Sequence, residues 1–166
     1  MSTRILILLF LQLGANKELF SQFDERLCQQ NEEIIFAFQL KNQKWVSVCK
    51  EKEEKYVVYR FGTQQRIELQ LPEKLDSTSW QQFTFKGYSR GGGKQNAAMY
   101  FGFLGFFNNE VKYEVYETWN SEDNLEHCGI TIIAGKKETD LKGILKSRKG
   151  SLLSLLDNEK IKKEEE

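Results

Sequence analysis

Apolar and polar residues alternate with a period of two along most of the chain. The stretch RIELQL at 66–71 is the plainest case, because Ile67, Leu69 and Leu71 share one face and polar residues occupy the other. Alternation over about 4–8 residues, enriched in β-branched and aromatic side chains, is typical of strands that bury one face. Strands are predicted on this basis at 32–40, 44–49, 56–61, 66–71, 82–86, 97–107, 111–117 and 129–134.

The segments between these strands are short and rich in turn-forming residues. Asn42-Gln43, the GTQQ stretch at 62–65 and Asn108-Asn109 each favour a hairpin between neighbouring antiparallel strands. No helical stretch between strands is long enough for a parallel crossover. The prediction is an all-β fold, an antiparallel meander of about eight strands that forms a barrel or a small sandwich. Gly102 and Gly105, inside one long apolar run, indicate bulges or bends where the sheet coils.

The two ends of the chain show a different pattern. Apolar residues at 17–30 and at 150–161 fall near helical spacing, so short N- and C-terminal helices are expected, the second with Ser151 near its start. Residues 158–166 are mostly charged and are interpreted as a solvated tail. A single β-rich domain is therefore predicted over 16–157.

Composition limits the classes of function. The 166 residues are enough for one domain, and the 40% hydrophobic content, including 12 Phe, can form a core. Twenty-four basic residues balance twenty-four acidic ones, so the formal net charge is zero. Nucleic-acid-binding domains usually carry a basic excess, and no nucleic-acid partner is expected here.

The N-terminus combines a short basic stretch, MSTR, with the apolar run ILILLFLQLGA at 5–15. The run is too short to span a bilayer as a helix, which takes about 20 residues. Its length suits a secretory signal of about 7–15 apolar residues, although Leu13 is larger than expected three residues before a cleavage after Ala15. We interpret residues 1–15 as a signal peptide of a periplasmic or secreted protein with no membrane span after processing. The alternative is a buried N-terminal strand or helix.

The three cysteines fit an oxidising compartment. A Cys28–Cys49 disulfide would join the N-terminal segment to an early strand and contribute about 2–4 kcal/mol. Cys128 is left over. The alternative is three reduced, buried thiols in a cytosolic protein. No CxxC motif occurs and the chain has one histidine, so no metal site is predicted from these residues.

The stretch YSRGGGKQN at 88–96 is the main candidate for recognition. A phosphate-binding loop would need a helix to begin behind the glycines, and none is predicted there. The glycines instead expose the backbone, with basic and polar side chains around them. The alternative is a flexible connection with solvated charges. The candidate binding residues are Tyr88, Ser89, Arg90, Gly91, Gly92, Gly93, Lys94 and Asn96.

The enzymatic alternatives are less specific. His127 and Cys128 are adjacent in a strand, so they point to opposite faces and do not form a nucleophile–base pair by themselves. Paired carboxylates could hydrolyse glycosides, but chance pairs are inevitable among so many acids. Glu122, Asp123 and Glu126 could hold a weak cation, although a polar loop is the simpler interpretation. We expect no catalytic residue and no cofactor.

The order of several motifs resembles a family of small exported bacterial proteins of uncharacterised function. The motifs are VSVC at 46–49, YRFG at 59–62, IELQLP at 67–72 and YSRGGG at 88–93, and the resemblance covers about residues 28–157. It implies a periplasmic, disulfide-bearing β-protein and supplies no catalytic residues. The resembling proteins tend to have a cysteine where this chain has Gly143. The SRGGG loop is also similar in character to the loops that periplasmic lysozyme inhibitors, small β-barrels, insert into an enzyme cleft.

Together these patterns predict a non-enzymatic exported binding protein whose 88–96 loop contacts a protein partner in the cell envelope. Inhibition of a secreted hydrolase or protection against a toxin would be one form of that function. Arg90 and Lys94 would then pair with carboxylates of the partner. The alternatives are a small envelope hydrolase that uses paired carboxylates, and a small-ligand carrier with an apolar interior.

Overall fold

A computed structural model describes residues 27–164, which form ten strands and two short 3₁₀ helices. The predicted signal peptide at 1–15 lies outside the described residues. The strands are β1 Glu32–Leu40, β2 Trp45–Glu51, β3 Val57–Thr63, β4 Arg66–Leu71, β5 Phe83–Arg90, β6 Met99–Asn108, β7 Val111–Asn120, β8 Glu126–Ala134, β9 Lys137–Gly150 and β10 Lys162–Lys163. The 3₁₀ helices are Ser77–Gln82 and Leu152–Leu155.

All ten strands belong to one sheet, in the order β10-β5-β6-β7-β8-β9-β1-β2-β3-β4. Every pairing is antiparallel except that of β10 with β5. The sheet curls into a half-barrel, so the all-β prediction is confirmed at the level of class, while ten strands replace the expected eight. The hairpin turns at Gln43 and Asn109 both use positive φ angles, as their sequences favoured.

The longest strand, β9, is absent from the sequence prediction. Its sequence, KETDLKGILKSRKG, contains mostly charged and small residues. Half-buried and exposed positions alternate along only part of the strand. β9 pairs with β8 on one side and with β1 on the other, so it connects the two parts of the sheet. Its conformation depends on these neighbours, because few of its own side chains offer apolar surface to bury.

The predicted terminal helices are wrong within the described residues. Residues 150–161 contain one 3₁₀ turn, Leu152–Leu155, with the Ser151 hydroxyl accepting a hydrogen bond from Leu153 N at its start. Residues 27–30 are not helical, and the rest of the 17–30 prediction lies outside the described part. Within the predicted charged tail, Ile161 is 3% exposed and is followed directly by β10.

The concave side of the half-barrel carries the main core. The predicted inward residues of β2 and β5 are all fully buried there, and Trp80, Leu152, Leu155 and Ile161 from the connecting and C-terminal segments pack against them. A smaller apolar cluster of Cys49, Tyr56 and Val58 lies on the opposite, convex side. Of the bulges or bends predicted at Gly102 and Gly105, bulges are not formed, because β6 keeps continuous register with both neighbours. These glycines instead make room for Leu152 and Thr84.

Candidate functional site

The glycine-rich loop joins β5 to β6 at one end of the half-barrel. Lys86, Tyr88 and Arg90 alternate along β5, so their side chains point to the convex side. Tyr88 is 40% exposed, and every residue from Ser89 to Asn96 is exposed. All eight predicted binding residues therefore lie together on the surface, at the end of β5 and in the loop that follows it.

Hydrogen bonds hold the loop to itself and to its neighbour. Arg90 donates from Nε and Nη2 to the carbonyl oxygen of Ala97, at 3.2 and 3.1 Å. Gly93 N donates to Asn96 O at 2.9 Å. Ala98 and Ser121 exchange two hydrogen bonds of 2.9 Å, which join this loop to the β7–β8 loop. These hydrogen bonds fix the conformation of the loop and its position against the β7–β8 loop.

The loop nevertheless leaves open space at its tip. A Cβ atom added to Gly91 or Gly93 would meet no other atom within 4 Å. An open cleft runs beside the tip, lined by residues 92–98 together with Ser121 and Glu122. The chain after the tip enters β6 and not a helix, so the helix N-terminus that a phosphate-binding loop needs does not follow these glycines.

The cations of this region lack carboxylate partners. Neither Lys86, Arg90 nor Lys94 forms an ion pair with a described residue. Their charges are therefore available to a binding partner, although the Arg90 guanidinium is already oriented by Ala97. Lys94, beyond the glycines, is exposed.

Four aromatic rings continue the surface across the convex side, and we refer to them as the aromatic row. Ring centroids are 5.9 Å apart for Tyr88 and Phe101, 5.6 Å for Phe101 and Phe103, and 6.4 Å for Phe103 and Tyr116. The Tyr116 ring lies over Gly129, where an added Cβ would be 2.4 Å from its hydroxyl oxygen. The row was not predicted as a unit, because it combines side chains from three strands.

β5 also forms an open edge of the sheet. β10 pairs only with Thr84 and Phe85, and Glu164 N then donates to Phe85 O at 3.0 Å. Backbone groups alternate in direction along a strand, so Gly87 and Ser89 point their N–H and C=O groups to the same side as Phe85. No strand in the described part of the chain pairs with them there.

A buried polar cluster, which the sequence analysis missed, lies at the same end of the half-barrel but on the concave side. The Glu117 side chain is fully buried and accepts hydrogen bonds from Ser151 Oγ at 2.5 Å and from Arg148 Nη1 at 3.2 Å. Arg148 also contacts Glu126, at 2.6 Å. The arginine therefore bridges two carboxylates. Glu117 also attaches the segment after β9 to the sheet, because it accepts from Ser151 Oγ and from Leu153 N.

The predicted Cys28–Cys49 disulfide is confirmed. Cys28 and Cys49 form a disulfide with a Cα–Cα distance of 5.8 Å. Cys128 is free and buried on β8, and burial raises the pKa of its thiol to about 11. It is therefore protonated at neutral pH, and His127 beside it is exposed on the other face. The two do not act as a nucleophile and base.

The acidic residues at 120–127 do not converge. Asp123 accepts a hydrogen bond from Leu125 N, and Glu126 faces Arg148 and Tyr100. Among the described residues, the one group of three metal-ligating side chains that converge is Cys28, Glu32 and Cys49, and its two cysteines are bonded to each other. The stretch is a polar loop between β7 and β8, in which the Asn120 and Asp123 side chains accept local hydrogen bonds from backbone N–H groups.

Comparison with known proteins assigns no family: no family model, curated protein or solved structure matches the chain. Within residues 27–164, no helix has the length and apolar content to cross a bilayer. The resemblance to exported β-proteins described above remains a prediction. A Cβ at Gly143 would lie 2.7 Å from Cys128 Sγ.

Proposed function

We propose that the protein is a non-enzymatic, exported binding protein that engages a protein partner through the end of β5 and residues 88–96. This proposal is based on three features that occur together at the end of β5 and in the loop that follows it. The backbone of Gly87 and Ser89 lies at an open sheet edge. Tyr88 is exposed beside it, and the nearby cations have no acidic partner in the described chain.

An open strand edge accepts an extended segment of another protein by β-strand addition. Main-chain hydrogen bonds from Gly87 and Ser89 would supply affinity, and neighbouring side chains would supply specificity. Exposed aromatic residues and arginines are enriched among the residues that dominate protein interfaces. Tyr88 is the expected central contact, because it is exposed and its ring packs beside that of Phe101, with centroids 5.9 Å apart.

The charges indicate an acidic partner segment. Lys86 and Lys94 lie before and after Tyr88, and their interaction with carboxylates would steer association at low ionic strength. An acidic cleft of a secreted hydrolase or of a toxin is one such surface. The Cys28–Cys49 disulfide supports an oxidising compartment for the encounter.

Site-specific photo-crosslinking in intact producing cells tests the proposal. A photoreactive amino acid replaces Ser89 at the open edge, and in a matched strain it replaces Lys136 in the β8–β9 turn at the opposite end of the half-barrel. We expect a discrete crosslinked protein from position 89 and none from position 136. The crosslinked protein is identified by mass spectrometry and then purified for binding measurements.

Charge reversal then tests the mode of binding. Lys94→Glu should weaken binding of the purified partner at least tenfold at low salt, whereas Lys136→Glu should leave it unchanged. The same partner should bind less tightly as salt increases. An absence of any crosslink from position 89, or equal affinities for the two charge reversals, would contradict the proposal.

A further inference from the structure

A second candidate site lies inside the half-barrel, away from the glycine-rich loop. The concave face carries a cavity of about 350 Å³ that is partly open to solvent. Its lining includes Asn108, the last residue of β6, so the cavity lies toward the end at which β6 turns into β7. The lining residues come from six strands, and the mainly apolar walls are formed by Tyr59, Phe61, Leu69, Tyr113, Ile130, Ile132 and Leu141.

Tyr59 gives this cavity a specific polar feature. The residue is 1% exposed, and its ring packs against Phe106 with a centroid distance of 4.6 Å. No described residue donates to or accepts from its hydroxyl group. Among the described residues, the polar side-chain atom that is fully buried without a partner is Ser47 Oγ, so the Tyr59 hydroxyl keeps some exposure to the cavity that its side chain lines. A molecule in the cavity could therefore accept its hydrogen bond.

Electrostatics determine which chemical form of ligand fits. Burial, followed by the nearby Tyr113 phenol, raises the pKa of Tyr59 well above its ordinary value. The hydroxyl therefore stays protonated and can donate. The charged lining residue, Glu68, is paired with Lys44 at 2.8 Å. A charged ligand would find no free countercharge in this apolar lining and would lose its hydration.

We propose that the cavity binds a small, uncharged, mainly apolar molecule whose oxygen accepts a hydrogen bond from the Tyr59 hydroxyl. The volume lies near the lower end of the range for small-molecule sites, about 300–1,000 Å³. The apolar walls supply most of the affinity, and Tyr59 orients the ligand. The site is separate from the proposed partner surface, and either can be correct without the other.

Fluorescence titration with prodan tests this site. Prodan is a neutral naphthyl ketone of suitable size, and its emission shifts to longer wavelength when its carbonyl accepts a hydrogen bond. We expect the full-length protein to bind it with one site per chain. Tyr59→Phe should raise the dissociation constant about 3- to 10-fold and shift the emission of the bound probe to shorter wavelength.

Three variants separate binding from folding. Tyr59→Phe keeps the ring and removes an unpaired hydroxyl, so its thermal midpoint should stay the same or rise. Tyr56→Phe removes a hydrogen-bonded hydroxyl on the convex side, so it should lower the midpoint and leave prodan binding unchanged. Leu69→Phe, on the edge strand β4, should fill part of the cavity and weaken binding at least tenfold.

Three results would overturn the proposal. It fails if the wild-type chain does not bind prodan, or if Tyr59→Phe binds it with the same affinity and emission as wild type. It also fails if Leu69→Phe, shown to be folded by its thermal transition, binds prodan as the wild type does.

Discussion

The Arg60 guanidinium binds the Glu32 carboxylate through two hydrogen bonds in the interior of the convex side. Nη1 lies 2.5 Å from Oε2 and Nη2 lies 2.8 Å from Oε1, and the side chains are 2% and 0% exposed. Tyr56 donates to the same carboxylate at 3.0 Å, and Arg60 Nε donates to Gln70 at 2.8 Å. Arg60 Nη1 also donates to the carbonyl of Leu27, at 3.1 Å. The pair thus joins β1, β3 and β4 to the segment that carries the disulfide.

Breaking this pair should destabilise the fold strongly. Removing one partner leaves the other charge buried and uncompensated, which typically costs about 3–5 kcal/mol. We expect Glu32→Gln and Arg60→Met each to lower the free energy of unfolding by an amount of this order, measured by urea denaturation. The double variant should lose less than the sum of the two single variants. Additive losses would show that the two side chains are not coupled.

The same pair predicts how stability depends on pH. Burial raises the pKa of Glu32, but hydrogen bonds from Arg60 and Gln29 N, with the Arg60 charge, outweigh it and hold the pKa below the ordinary 4.5. A folded-state pKa below the unfolded one gives stability that is complete above about pH 4.5 and is lost as the pH falls through the folded value. Wild type should therefore lose stability on acidification in that window.

The control for this effect is Glu32→Gln, which cannot titrate at position 32. Its stability should fall less steeply than that of wild type between neutral pH and the acid range, measured by thermal unfolding at a series of pH values. Parallel curves would mean that Glu32 is not responsible.

Gly143 is predicted to tolerate no side chain. A Cβ there would lie 2.5 Å from Phe38 Cδ2 and 2.7 Å from Cys128 Sγ, and both neighbours are buried. Overpacking of this kind usually costs about 1–3 kcal/mol. We expect Gly143→Ala to lower the denaturation midpoint, whereas Gly91→Ala, with no atom within 4 Å of its added Cβ, should change stability little. An equal effect of the two substitutions would contradict the packing described for β9.

The cysteines should differ in their reaction with iodoacetamide. Cys128 is buried and its pKa is raised to about 11, so the folded protein should remain unmodified at pH 8. Unfolding without reductant should expose Cys128 alone, and reductant should add Cys28 and Cys49. Mass spectrometry of protein from its native compartment distinguishes these states and also reads the mature N-terminus. Modification of Cys28 in the absence of reductant would contradict the disulfide.

Much of the strand content follows from local sequence. In β2 and β5, for example, alternation correctly predicted the buried residues Val46, Val48, Phe83 and Phe85. A period of two places such residues on one face of the strand. Bounds shifted by a few residues. Ile67, predicted to face inward, is 42% exposed because the register of the β3–β4 pair shifts beside it, so that Ile67 pairs with Gly62 and lies on the opposite face from Leu69, which pairs with Phe61. The loop residues of the candidate partner surface were also placed together by sequence, since they are contiguous.

Other features were decided only by tertiary structure. β9 becomes a strand because β8 and β1 hold it on both sides, and its own charged sequence gives little sign of this. The Glu32–Arg60 pair, the Arg148 bridge and the cavity at Tyr59 join residues that are far apart in the chain. The alternation of apolar residues determines which face of a strand is buried. The order and curvature of the strands determine which buried groups meet, and this depends on contacts that no single segment contains.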